Sequence, residues 1–229
     1  CNNLSSISGF NSLEKINGSL NVNYNTSLLK ISGFQSVKLI DDNLGIEFNV
    51  NLDEITGLSS LETIGSNTSF KALSVSNFSG FNKLKTIGGL LTIITNSTTN
   101  NFDGFNELIS IGSDLVFYEF IANEFDGFKK LESVNSLQIT YSGINNLTGF
   151  DNLNKVKGNF IIEKTSIENF NSFNNLNSID YNMRFSYNTG VQELNGFDKL
   201  KNIGIDFIMK YNNNLNFIGS LNGIESIPG

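Results

Sequence analysis

The sequence predicts a mostly β fold, a right-handed parallel β-solenoid of about ten turns of 22–24 residues. Three observations predict it. The phrase Gly-Phe-x-x-Leu-x-x-Ile recurs along the whole chain, most clearly from Gly9 to Ile16. It returns at Gly33-Phe34, Gly80-Phe81, Gly104-Phe105, Gly127-Phe128, Gly149-Phe150 and Gly196-Phe197, with degenerate copies at Gly57-Leu58, Ser172-Phe173 and Ser220-Leu221. Second, seven positions of each repeat are nearly always apolar. Third, each repeat holds one short segment in which bulky residues alternate with others, the period of a strand with one buried face. A repeat of this length cannot bury its apolar face alone and must stack on its neighbours.

Each element follows from its column. Repeats start at Ile7, Ile31, Ile55, Phe78, Phe102, Phe125, Leu147, Phe170, Leu194 and Ile218. A second column runs Phe10, Phe34, Leu58, Phe81, Phe105, Phe128, Phe150, Phe173, Phe197, Leu221. A third runs Ile16, Ile40, Ile64, Ile87, Ile111, Val134, Val156, Ile179, Ile203, Ile227. Stacking like on like fixes the register. The main strand is Leu20-x-Val22 and its equivalents, such as Leu115-x-Phe117 and Phe160-x-Ile162. Two shorter strands are expected around Leu13-x-x-Ile16 and Leu28-x-x-Ile31. The glycine before each Phe is expected to supply a backbone shape that other residues dislike. Asn25, Asn49, Asn188 and Asn212 close main strands, where they could bond a neighbouring turn's backbone; Phe120, Ser142 and Thr165 break that series. Strands about 4.8 Å apart make a rod of roughly 45 Å.

Composition narrows the function classes. Net charge is −7 and the pI about 4.6, which argues against nucleic acid or an anionic membrane as partner. The 38 asparagines and the excess of lysine over arginine fit an AT-rich coding bias. Seven Asn-x-Ser/Thr sequons, at Asn3, Asn17, Asn25, Asn67, Asn77, Asn96 and Asn146, are about what chance gives with 40 serines and threonines. The single cysteine, Cys1, allows no internal disulfide framework. It is read either as a mid-chain residue or as a lipidated N-terminus. No apolar run is long enough to span a membrane. The repeat is in phase at Leu4 and at Ile227, so the chain is expected to be one repeat domain, 1–229, cut from a longer solenoid. Its open ends are then possible sites of self-association.

The phrase Leu-x-x-Ile-x-Gly-x-Leu-x-Ile-x-x-Asn-x-x-Leu, seen from Leu13 to Leu28 with Val22 at its second Ile, resembles the receptor L-domain type of leucine-rich solenoid. That type occurs in the insulin and epidermal growth factor receptors and in similar fungal and bacterial surface proteins. The resemblance spans essentially the whole chain. It implies an extracellular or cell-surface recognition module. Two departures stand out: the receptor domains are disulfide-capped, and phenylalanine here replaces the usual leucine of the Phe column. Fold alone carries no ligand.

With no histidine and one terminal cysteine, a histidine-based triad, a thiol protease and an ordinary zinc site are excluded. No cofactor and no metal site is expected. The acidic residues Asp41-Asp42, Asp53-Glu54, Glu119 and Glu124-Asp126 do not repeat at one position in adjacent turns. The expected function is therefore a non-enzymatic binding or scaffold module with a protein or glycan ligand. The alternative is a carbohydrate-active β-helix enzyme, a lyase or glycosidase. Two candidate sites remain once core positions are assigned. The outward face of the main strands carries Ile94, Val116 and Tyr118 on adjacent turns, with Ile161 further on; a contiguous apolar patch suggests contact. Just past the strands lie Tyr24, Phe48, Tyr141, Tyr187 and Tyr211. Of these, Tyr187 and Tyr211 stand in neighbouring turns and could form a stacking platform for a sugar.

Overall fold

The computed structural model describes all residues except 2, 96, 97, 100, 101, 123 and 124, and the side chain of Thr98. The sequon at Asn96 and the carboxylate of Glu124 therefore lie outside the described residues. The chain is a parallel β-solenoid whose main sheet has nine strands, each one coil after the last. These strands are Leu20–Asn23, Leu44–Glu47, Thr68–Lys71, Leu91–Ile94, Leu115–Tyr118, Leu137–Thr140, Phe160–Glu163, Met183–Ser186 and Phe207–Lys210. All pair in parallel without a register slip, as in Val22↔Ile46 and Ile139↔Ile162. A second sheet, also of nine strands, runs through the Ile column from Lys15–Ile16 to Asn202–Ile203. The solenoid has about nine turns, close to the expected ten. The tenth repeat adds only the short strand Phe217–Ile218.

Between the sheets lies a single apolar core that runs the length of the rod. The Phe column is its spine. Rings of Phe81, Phe105, Phe128, Phe150, Phe173 and Phe197 pile face to face, 5.3 to 5.8 Å apart and within 15° of parallel. The larger side chain works because the first column leans against it: Phe102 lies 5.3 Å from Phe105. Burying each ring contributes about 1.5–3 kcal/mol.

The glycine before each Phe has a different role from the expected one. Only Gly149 and Gly196 of that column have positive φ; at Phe10, Phe34 and Phe128 the phenylalanine itself takes it. Glycine is required because the coils touch there. A Cβ on Gly33 would collide with the carbonyl oxygen of Gly9, and one on Gly80 with that of Ile55.

A corner follows each main strand. The next residue has positive φ in eight of the nine coils: Tyr24, Phe48, Ala72, Glu119, Tyr141, Lys164, Tyr187 and Tyr211. Non-glycine residues adopt this conformation at a cost of about 1–2 kcal/mol, so something must offset it. At the asparagine corners the following side chain does, whereas Ala72 and Glu119 are followed by Leu73 and Phe120. Asn49 is fully buried and its Nδ2 donates to Val22 O (2.6 Å), while its Oδ1 accepts from Asn25 N (2.9 Å). Asn188 repeats this with Ile162 O (2.9 Å) and Thr165 N (3.1 Å), and Asn212 Oδ1 accepts from Asn188 N (3.0 Å). The asparagine series thus bonds its neighbours as its spacing suggests. Ser142 and Thr165 do not simply break it: Ser142 Oγ accepts from Phe120 N and donates to Thr140 O.

A second side-chain ladder guards the entry to the main strands. Each member accepts from the backbone N–H of the equivalent residue one coil on: Asn43 Oδ1 from Asn67 N, Asn67 Oδ1 from Leu90 N, Asp114 Oδ1 from Ser136 N, and Asn159 Oδ1 from Asn182 N.

The third side is irregular. One short ladder joins Ser6–Ile7, Lys30–Ile31 and Glu54–Ile55; another joins Thr98–Thr99, Ile121–Ala122 and Gly143–Ile144; a third joins Glu193–Leu194 and Phe217–Ile218. The middle ladder sits three residues earlier in the repeat than the outer two. Two 3-10 turns, Ser79–Phe81 and Asn171–Phe173, stand where the register changes.

Candidate binding surface

The strand alternation places the proposed outward residues outward. Ile94 pairs with Tyr118, and Thr92 with Val116, on adjacent strands. Ile161 is separated from Val116 by Gln138. All four apolar residues are half-buried, because each is flanked by outward neighbours across the sheet. The ends of this face are ionic: Glu47 takes Lys71 at 3.1 Å and a hydrogen bond from Ser69, and Arg184 lies 3.7 Å from Glu163. Burial pushes the Glu47 carboxyl up, but the hydrogen bonds from Ser69 and Lys71 and the Lys71 charge outweigh it and hold it below the usual range.

The aromatic corner column is well exposed, from 37 % at Phe48 to 65 % at Tyr24. Its rings stack along the rod axis: Tyr24 on Phe48 at 4.7 Å, Tyr187 on Tyr211 at 4.6 Å and 19°. The faces between stacked partners are therefore taken up by the protein. What the column presents outward is ring edges and hydroxyls, together with the free outer face of Tyr211. Lys164 interrupts the series. Its ammonium donates to the Tyr141 hydroxyl, stands 4.1 Å from that ring's centre, and lies 5.7 Å from that of Tyr187. The hydrogen bond to Tyr141 raises the Lys164 pKa. The neighbouring charge of Glu119 raises that of Tyr118.

The two candidate sites form one surface. The Tyr118 ring lies 5.3 Å from the Tyr141 ring, so the patch on the sheet continues into the corner column through Lys164 to Tyr187 and Tyr211. That junction is invisible in sequence, because Tyr118 and Tyr141 occupy different positions of the repeat.

Several acidic side chains are committed to ion pairs. Asp41 pairs with Lys15, Glu54 with Lys30, Glu62 with Lys85, Glu107 with Lys130 and Asp180 with Lys155, all between neighbouring coils. Among the described residues no three of His, Cys, Asp and Glu stand together in a way that could hold a metal ion. No described helix is long and apolar enough to cross a membrane. Of the sequon residues, Asn25 is buried and its Nδ2 donates to Asn23 O (3.0 Å), which leaves no room for a sugar. The two end faces expose apolar side chains: Phe10 (62 %) at one, Phe217 (60 %) and Ile227 at the other. No family model matches the chain, and no curated protein is similar to it.

Proposed function

We propose that this chain is a non-enzymatic, cell-surface binding or scaffold module of the receptor L-domain type. Its ligand, a protein or glycan, lies across the outward face of the main sheet and the adjoining corner. The observation that carries the reading is the continuity of that surface: Ile94, Val116 and Tyr118 run into Tyr141, Lys164, Tyr187 and Tyr211 across consecutive coils. A solenoid whose repeated residues are spent on stacking keeps its variable outward residues for recognition. The mixture also fits. Half-buried apolar groups supply contact area, and the tyrosines, a residue type enriched at interfaces, add hydroxyl donors beside the Lys164 ammonium. The cross-coil ion pairs take the carboxylates of Asp41, Glu47 and Asp180 out of the acid and base roles that the carbohydrate-active alternative needs, while Glu168, among the described residues, stands outside such pairs.

The test is a binding screen of the purified chain against arrayed glycans and secreted protein domains. Changing Val116 and Tyr118 to lysine should abolish the interactions found, without moving the thermal unfolding midpoint. Interactions that survive both changes would sink the proposal.

A further inference from the structure

The irregular third side holds a concavity of about 420 Å3, on a different face from the main sheet. It is lined by Glu168, Asn169, Asn171, Gln192, Glu193 and Asn195. Its place follows from the change of ladder. The ladder through Gly143–Ile144 ends one coil before, and that through Glu193–Leu194 begins one coil after. The coil between joins neither ladder and, among the described residues, makes a single bridge on this side, Asn146↔Asn169. Gly190 brings the two coils into contact beneath, since a Cβ there would collide with Ser166 O.

The polar groups here differ from those of a second concavity, of about 500 Å3, lined by Asn152, Asn154, Asn175, Asn177 and Lys199. There Asn152 Nδ2 donates to Lys129 O and Asn175 Nδ2 to Asp151 O, both at 2.6 Å, and the Lys199 ammonium holds Asn175 Oδ1 at 2.7 Å, so a cation and two internally bonded amides occupy part of the lining beside Asn154 and Asn177. In the first concavity the side chains of Glu168, Asn171 and Gln192 have no hydrogen-bond or ion-pair partner among the described residues. Asn195 Nδ2 donates to Glu193 at 3.0 Å and Asn169 Nδ2 to Asn146 Oδ1 at 3.3 Å.

We infer that this concavity binds a neutral, hydroxyl-rich ligand, one or two sugar units of an uncharged glycan. Its size suits such a ligand. Carboxylate and amide oxygens accept from sugar hydroxyls, and amide nitrogens donate to them, so planar groups of both kinds can bridge neighbouring hydroxyls. Two carboxylates and no cation in the lining disfavour an anion. The lack of a third acidic partner among the described residues disfavours a metal ion. A lining of amides and carboxylates disfavours a lipid or an apolar peptide.

The test titrates the isotope-labelled chain with cellobiose, maltose, lactose and mannobiose, following side-chain amide signals by NMR. At least one disaccharide should bind with a Kd of about a millimolar or tighter, shifting the amides of Asn171 and Gln192 and leaving those of Asn49 and Asn188 in place. The double variant Asn171→Ala, Gln192→Ala should weaken binding at least tenfold with unchanged stability. Tyr118→Lys should leave it intact, so failure here is separable from failure of the main-sheet proposal. No shift with any of the four sugars would overturn the inference. So would shifts confined to the corner tyrosines, or tighter binding of glucuronate than of glucose.

Discussion

The main-sheet side and the third side are built by the same coils, yet only the first keeps one register for nine strands. The difference lies in what flanks the backbone. The main strands have a side-chain ladder at each end and an alternating buried face, so every residue from entry to corner is fixed in place. The third side has two-residue strands whose ladders change position, and it absorbs most of the variation in repeat length: the step from a main strand to the next repeat start is 10 or 11 residues, with one further residue lost at the strand entry between Val134 and Leu137. Repetition is strict where side chains must stack and relaxed where they need not. The relaxed side is where the concavity opens.

The largest effect expected from this comparison is that of a single inserted residue. Between Gln138 and Ile139 it would reverse the alternation of Leu137–Thr140 and turn a fully buried isoleucine toward solvent, because strand side chains have a period of two. Loss of cooperative folding, seen as a collapsed urea transition, is expected. The same insertion between Asn145 and Asn146, both exposed on the third side, should cost less than about 1 kcal/mol. Equal costs at the two places would dismiss the comparison.

A smaller effect separates the flanks themselves. Asn188→Ala leaves Ile162 O and Thr165 N without their partners in a buried setting, at a cost of about 1–3 kcal/mol for each stranded group. Ser166→Ala on the third side removes an exposed bond to Asn145 Oδ1 (2.8 Å) and a long, part-buried one to Ile144 O (3.4 Å) and should stay within about 0.5 kcal/mol. Denaturant midpoints of the two variants give the ratio directly.

Much of the regular side was legible in the sequence, because the Phe and Ile columns, the strand alternation and the closing asparagines each repeat one residue type at one position. The entry ladder was not, since Asn43, Asn67, Asp114 and Asn159 alternate with Ser19 and Ser136, and any short acceptor serves. The left-handed corner was hidden for the opposite reason: aromatic residues avoid positive φ, and only the buried bonds of the following residue hold them there. Of the candidate surface, the outward residues could be read from alternation, but the stacking direction of Tyr187 on Tyr211 and the meeting of Tyr118 with Tyr141 needed three dimensions. The concavity at Glu168 and Gln192 left no sequence signal, because it comes from a change of register between ladders.

The smallest expected effect concerns the ionic end of the main sheet. Glu47 has a carboxyl pKa lowered in the folded chain, so the folded state binds its proton less readily than the unfolded state does. Its contribution is therefore present above the unfolded value of 4.5 and is lost as the pH falls through the lowered folded value. Glu47 and Lys71 are both partly exposed, and water screens the pair, so the contribution is at most about 1 kcal/mol. Comparing wild type with Glu47→Gln, the stability difference should be largest near neutral pH, shrink below pH 4.5 and fall further in high salt. A difference that grows on acidification would mean that this end of the sheet is held by packing and not by its charges.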